Sequence, residues 1–254
     1  AQLYKNQYIG YIEEMKELFN NDDLTFILAQ LPQYCINEWA DFRQVQWDIM
    51  RENDNTYTCC GIDFGEYYDI HPTKDKYQFA TRAEGIAMKY VYGDLNASGL
   101  SPYPTSLYYD DDSKIEISLS DSEGLHSLYR GKVDGFEVLV NGKWVVPTAT
   151  ILNEKIVLTN FNGVPSSVRY FYFDNVEPYD NEGGFNYVYN GKNLPLAPFV
   201  EQISIPKYNV SIESKHGTLS CDNNIEVEKG GRVTIKVTPD EGYALEEITV
   251  NVIK

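Results

Sequence analysis

Apolar and polar positions follow three textures along this chain. Residues Leu3 to Phe19 carry apolar groups at Leu3/Tyr4, Tyr8, Tyr11/Ile12, Met15 and Leu18/Phe19. That spacing predicts a helix with one buried face, stopped by the polar run Asn20 to Asp23. The unbroken apolar run Leu24 to Leu31, ended by Pro32, predicts a strand covered on both faces and therefore parallel. Asn37 is placed to cap a second helix with Trp39, Phe42, Val45/Gln46 and Ile49 on its inner stripe. A second strand, Thr56 to Ile62, precedes a third helix, capped by Thr73 and lined by Tyr77, Ala80, Ala83, Ala87 and Tyr90/Val91. Gly93 ends it. Helix–strand–helix–strand–helix is the order of a layered α/β domain. Two strands do not make a stable parallel sheet, so the start of this domain is expected upstream.

After the Pro/Gly/Ser-rich stretch Asn96 to Pro104 the runs become short and alternating. Ile115–Leu119, Phe136–Val140, Lys143–Val146, Lys155–Leu158 and Ser167–Phe173 read as strands, and Asn141-Gly142 as a hairpin turn. Strands at this spacing predict an antiparallel β-sandwich or jelly roll, closing at Asn190 to Phe199. A third texture begins near Ile205: strands at Tyr208–Ile212, Ile225–Glu228, Val233–Thr238 and Ile248–Val252, with turns at His216-Gly217 and Gly230-Gly231. Gly217 to Ser220, Gly231, Val233-Thr234, Val237, Pro239, Gly242-Tyr243 and Ile248 to Val250 resemble the small all-β repeats of bacterial surface and secreted proteins. The expected division is 1–104 α/β, 105–203 sandwich and 204–254 a partial β-repeat.

A hydrophobic content of 43% is enough for a real core. The formal net charge of -17 argues against nucleic acid or an anionic membrane surface as partner. It suits a secreted bacterial protein acting on neutral glycans. No apolar run is long enough to insert in a membrane. The 21 tyrosines fit sugar sites and sheet packing equally. Cys35, Cys59, Cys60 and Cys221 show no C-x-x-C spacing, which predicts buried free thiols and no metal site. Cys59 and Cys60, adjacent in a strand, should point to opposite faces.

The chemistry concentrates in Gly61-Ile-Asp-Phe-Gly-Glu-Tyr-Tyr-Asp-Ile-His-Pro72, a loop with three acidic residues and one of only three histidines. Catalytic groups of open α/β sheets sit in loops beyond the carboxyl ends of strands. His71 sits where a general base would, or else caps the next helix. Asp69 is its nearest carboxylate. Asp63, at the strand end, either supports the histidine or caps its own turn. Arg43 and Gln46, one helical turn apart, either face the cleft or reflect a buried Arg pairing across helices.

Taken in order, Phe26 to Leu31, Trp39 to Gln46 (with Arg43), Gly61-Ile-Asp63 followed by Asp69-Ile-His-Pro72, Lys76 and Arg82, Val168-Arg-Tyr170, and Leu194 to Phe199 resemble the C-terminal part of a sialate O-acetylesterase-type enzyme. This is a carbohydrate esterase of the SGNH-hydrolase class. The resemblance implies acyl transfer without a cofactor: a serine attacks an acetyl carbonyl, His71 takes its proton, and Asp69 orients His71. Two departures accompany it: Tyr68 stands three residues before His71, and Lys76 lies one residue further on than the pattern has it. The family's nucleophile blocks have no counterpart in these 254 residues. The nucleophile is therefore expected from a missing N-terminal part, as a separate chain or the same one, and the chain alone is expected to be inactive. The competing expectation is a non-catalytic glycan-binding or surface module on an esterase-like scaffold. An intact Asp69/His71 pair favours the enzyme.

Overall fold

The computed structural model describes residues 1–34, 38–64, 71, 76–110, 113–128, 133–172, 185–210, 215–221, 226–229 and 231–247. Asn37, Asp69, Thr73, Cys35 and the expected strand Ile248–Val252 lie outside the described residues. The first segment runs α1 (Gln2–Phe19), β1 (Phe26–Ala29), α2 (Trp39–Glu52), β2 (Thr56–Cys59) and α3 (Lys76–Tyr90). Strands β1 and β2 pair in parallel, Phe26 with Thr56 through Ala29 with Cys59. Their alternating side chains are covered on both sides. Phe26 and Leu28 pack with Ile12, Val45 and Ile49 from α1 and α2. Ile27, Tyr57 and Cys59 pack with Phe79, Ala83 and Ile86 from α3. Two covered faces explain why these strands read as unbroken apolar runs.

In α2 the expected Val45, Gln46 and Ile49 are buried and the buried face is wider than the stripe, whereas α3 is turned relative to the one expected from sequence. In α2 the buried residues are Ala40, Arg43, Val45, Gln46, Trp47 and Ile49. The helix is wedged between the parallel strands and the antiparallel sheets, so it buries two sides. In α3, Arg82, Gly85 and Ile86 are buried while Tyr77 is 83% exposed. Arg82 turns inward to an acid at the end of β2, and a Cβ on Gly85 would stand 2.0 Å from Ser98 Oγ.

The second segment holds β3 (Pro104–Tyr109), β4 (Ile115–Leu119), β5 (His126–Ser127), β6 (Phe136–Val140), β7 (Lys143–Val145), β8 (Thr148–Leu152), β9 (Lys155–Thr159), β10 (Pro165–Tyr170), β11 (Val188–Tyr189) and β12 (Phe199–Gln202). Two four-stranded antiparallel sheets form, ordered β3-β4-β9-β8 and β12-β10-β6-β7, with β5 and β11 a separate ribbon. Asn141 and Gly142 turn β6 into β7 with φ of 50° and 75°, the positive pair a two-residue hairpin needs. The sheets' buried residues, Ile115, Ile117, Val138, Ile156, Val168 and Phe199 among them, form one cluster that also includes Trp47, Cys60 and Ile62. The texture changes near residue 104; the packing does not, because α2 and the end of β2 enter the sheets' core.

The last segment carries two antiparallel pairs, β13 (Lys207–Asn209) with β15 (Glu226–Glu228) and β14 (Gly217–Cys221) with β16 (Ile235–Pro239). It is tied back at Lys229, whose ammonium sits 4.0 Å over the Tyr109 ring and donates to the Asp110 carbonyl. The preceding link is held along β3, with Ser204 N–H on Leu107 O at 2.9 Å and Tyr109 N–H on Ser204 O at 3.2 Å. No helix among the described residues is long and apolar enough to cross a membrane.

Cys59 packs under α3 and Cys60 enters the sheets' core, so the neighbours do part to opposite faces. Both are free and buried. Burial first, then the neighbouring Cys60 charge for Cys59 and the Asp63 charge for Cys60, pushes the thiols up to about 12 and about 11. An unfolded thiol ionises near a pKa of about 8.5. Above that pH the unfolded chain holds fewer protons than the folded one, and stability falls as pH climbs from about 9 to 11. At pH 8 a thiol reagent is expected to spare Cys59 and Cys60 in the folded chain and label them in denaturant. Peptide mapping reads this directly; fast labelling of either in the native chain would contradict the packing.

Candidate active site at the carboxyl ends of the parallel strands

Because β1 and β2 are parallel, the peptides leaving them emerge on one side. Side-chain amides fasten them together there. Gln46 accepts the Leu31 N–H at 2.9 Å and donates to Ala29 O at 3.0 Å, extending β1 as a further strand would. Gln33 donates to Ile62 O at 2.8 Å, and its N–H reaches Phe64 O at 3.4 Å. The Trp39 indole donates to Pro32 O at 2.7 Å. Gly61 is needed in the exit turn, since a Cβ would meet Phe79 at 2.9 Å and Gln30 O at 3.0 Å.

Asp63 follows in that turn, closed by Phe64 N–H on Gly61 O at 3.1 Å. Its two oxygens receive the Arg82 guanidinium as a fork, Oδ1 from Nη1 at 2.7 Å and Oδ2 from Nη2 at 2.6 Å. Nη1 also donates to Cys60 O at 3.0 Å, and the guanidinium lies 4.1 Å over the Phe64 ring. The two side chains are only 10% and 8% exposed. Burial alone would lower the Arg82 pKa, but the hydrogen bond and charge of Asp63 outweigh it and raise it. Removing one member of such a pair costs about 3–5 kcal/mol, because the other is left buried and uncompensated.

The antiparallel segment reaches the same place. Tyr189, in β11, donates its hydroxyl to Asp63 Oδ2 at 3.2 Å. Burial, then the charge of Asp63, raises the Tyr189 pKa. His126 of β5 stacks on the Tyr189 ring at 6.0 Å, with its Nδ1 3.0 Å from Gly124 O. Arg43, fully buried in the second turn of α2, donates to Phe171 O at 3.3 Å. Asp41 accepts the Tyr172 hydroxyl. Phe171 is held in turn by Gly135, whose φ of 89° and missing Cβ leave room for the ring.

The structure brings Asp63, Arg43 and Gln46 to the crest of the parallel strands, and each is engaged there. Gln46 completes the edge of β1, Arg43 ties α2 to the sheets, and Asp63 is taken up by Arg82 and Tyr189. His71 is exposed, in the segment between β2 and α3. Asp69 lies outside the described residues. Among the described residues no group of three or more His, Cys, Asp or Glu is arranged to hold a metal ion. Sequence reading missed Tyr189 and His126. The alternation in Phe185 to Tyr189 signals a strand, but no local pattern reveals a partner 126 residues away.

No protein-family model matches the chain. No curated protein matches it. Among solved structures, a carbohydrate acetylesterase from Xanthomonas citri, described as novel, is similar at a TM-score of 0.66 and 23% identity. The match covers 78% of this chain and 46% of that one, so the chain spans less than half its neighbour's length. At this identity the likeness is one of fold.

Proposed function

We propose that the chain is the histidine-bearing part of a secreted or cell-surface carbohydrate O-acetylesterase of the sialate O-acetylesterase type. In this reading it has an SGNH-type α/β/α layer, a β-sandwich and a terminal surface-type repeat. The observation that carries it is the position of His71. It is exposed and lies between β2 and α3, on the stretch of chain that leaves the carboxyl end of a parallel strand. The fold likeness to a carbohydrate acetylesterase supports the same reading. A serine supplied from outside these residues attacks the acetyl carbonyl carbon, and its proton passes to His71. The tetrahedral intermediate expels the sugar hydroxyl, which takes that proton, and water then repeats the sequence on the acetyl-serine. Asp69 orients the imidazole.

The nucleophile-bearing part would pair with β1. Among the described residues that strand pairs only with β2, and α1 leaves Leu3, Tyr11, Leu18 and Phe19 46–73% exposed. A parallel edge that meets only the Gln46 side chain at its carboxyl end, beside apolar surface, suits the rest of one sheet.

The test compares the complete gene product with the 254-residue chain on p-nitrophenyl acetate, O-acetylated sialic acid and acetylated xylan. The complete protein is expected to turn over with sensitivity to serine reagents, and the chain alone to match a blank protein. Serine-dependent turnover by the isolated chain would overturn the divided site. A complete protein that binds these glycans without hydrolysing them would be a binding module.

A further inference from the structure

We infer that Asp63, Arg82 and Tyr189 form a clasp that positions the two chain points flanking His71, with Tyr189 the member contributed by the sheets. The inference rests on the esterase reading above and assigns to Asp63 a role other than the acid that orients His71. A carboxylate offers about four lone-pair directions. Three at Asp63 are taken, two by the Arg82 fork and one by the Tyr189 hydroxyl. An acid so engaged is a poor partner for an imidazole and a good fixed point.

The placement distinguishes this from an ordinary buried ion pair. Asp63 precedes His71 by eight residues and Arg82 follows it by eleven, so the pair closes the chain on both sides of the base. A guanidinium–carboxylate fork fixes direction as well as distance. Here the same guanidinium also holds Cys60 O at 3.0 Å and lies on the Phe64 ring, orienting both ends of the turn that leaves β2. Tyr189 adds a third direction from a ribbon 126 residues further along, and His126 lies stacked on its ring. The two chain points that flank His71 are thereby referenced to the sheets as well as to the parallel strands. Tyr189 and Arg82 are positioning residues: they act through Asp63 and touch no reacting atom.

Tyr189→Phe removes one hydroxyl and keeps the ring. Arg82→Lys keeps the charge and loses the fork. With only three histidines, the imidazole NMR signals of the 254-residue chain resolve the effect. His71 is expected to shift in both variants, while His216, stacked on Tyr243 in the last segment, does not. In the complete protein, Tyr189→Phe is expected to lower kcat for p-nitrophenyl acetate about ten- to a hundredfold at nearly unchanged KM, the cost of a misplaced group. His71 signals and kcat that stay put in both variants, with only Tm falling, would overturn the clasp as a positioning device. Because Tyr189→Phe leaves the buried ion pair intact, it decides the matter even if Arg82→Lys fails to fold. A complete protein without esterase activity whose His71 signals still move would retain the clasp and discard the esterase reading.

Discussion

Replacing His71 by alanine in the complete protein is expected to lower kcat for acetyl-ester hydrolysis by roughly three orders of magnitude or more, as loss of a triad member does. His126 stacks on Tyr189 with its Nδ1 beside Gly124 O, and His216 lies flat on Tyr243 at 4.3 Å in the last segment. His71 is exposed, so its removal opens no cavity, and stability should stay within about 0.5 kcal/mol of the parent. That separates a chemical loss from an unfolding one: kcat collapses while far-UV dichroism and Tm hold. Asp69→Asn is expected to cost less, since it disturbs orientation and tautomer and leaves the base in place. Near-normal turnover by His71→Ala would remove the histidine from the mechanism.

Much of the parallel layer was legible because burial on both faces imposes unbroken apolar runs, and Phe26 to Ala29 and Thr56 to Cys59 pair as those runs predict. Helix existence was legible too, but helix orientation only in part. Periodicity assigns the inner face to apolar residues, whereas α2 and α3 turn Arg43 and Arg82 inward, toward a carbonyl of the sheets and a carboxylate after β2. A buried cation with a distant partner looks in sequence like a surface one. Short strands such as β5 and β11 escaped because two residues carry no period. At the site, the position of His71 beyond a strand end could be read locally. The engagement of Asp63 could not, since its partners stand 19 and 126 residues away. Gln46 offered a donor and an acceptor at one helical turn from Arg43, but only the register of β1 gives them their use.

Trp47→Ala is expected to destabilise the chain by about 3–5 kcal/mol, the range for a buried tryptophan truncated to a cavity. Trp47 is fully buried and meets the Tyr103 ring edge-on at 5.4 Å. It leaves an α2 whose opposite side packs on β1, and it joins the cluster containing Phe136, Val168 and Phe199. The cavity therefore opens between the parallel layer and the sheets, and both lose contacts. For a unit of about 200 residues, each kcal/mol moves Tm by roughly 2–4 °C, so a drop on the order of 10 °C is expected. It should appear at the same temperature in the helical signal at 222 nm and in the near-ultraviolet signal of the sheets' tyrosines. If the α/β segment and the sheets folded independently, the mutation would move the first and leave the second. Strands β13 to β16, tied back by Lys229, contribute no described residue to this core, and their transition should stay where it is.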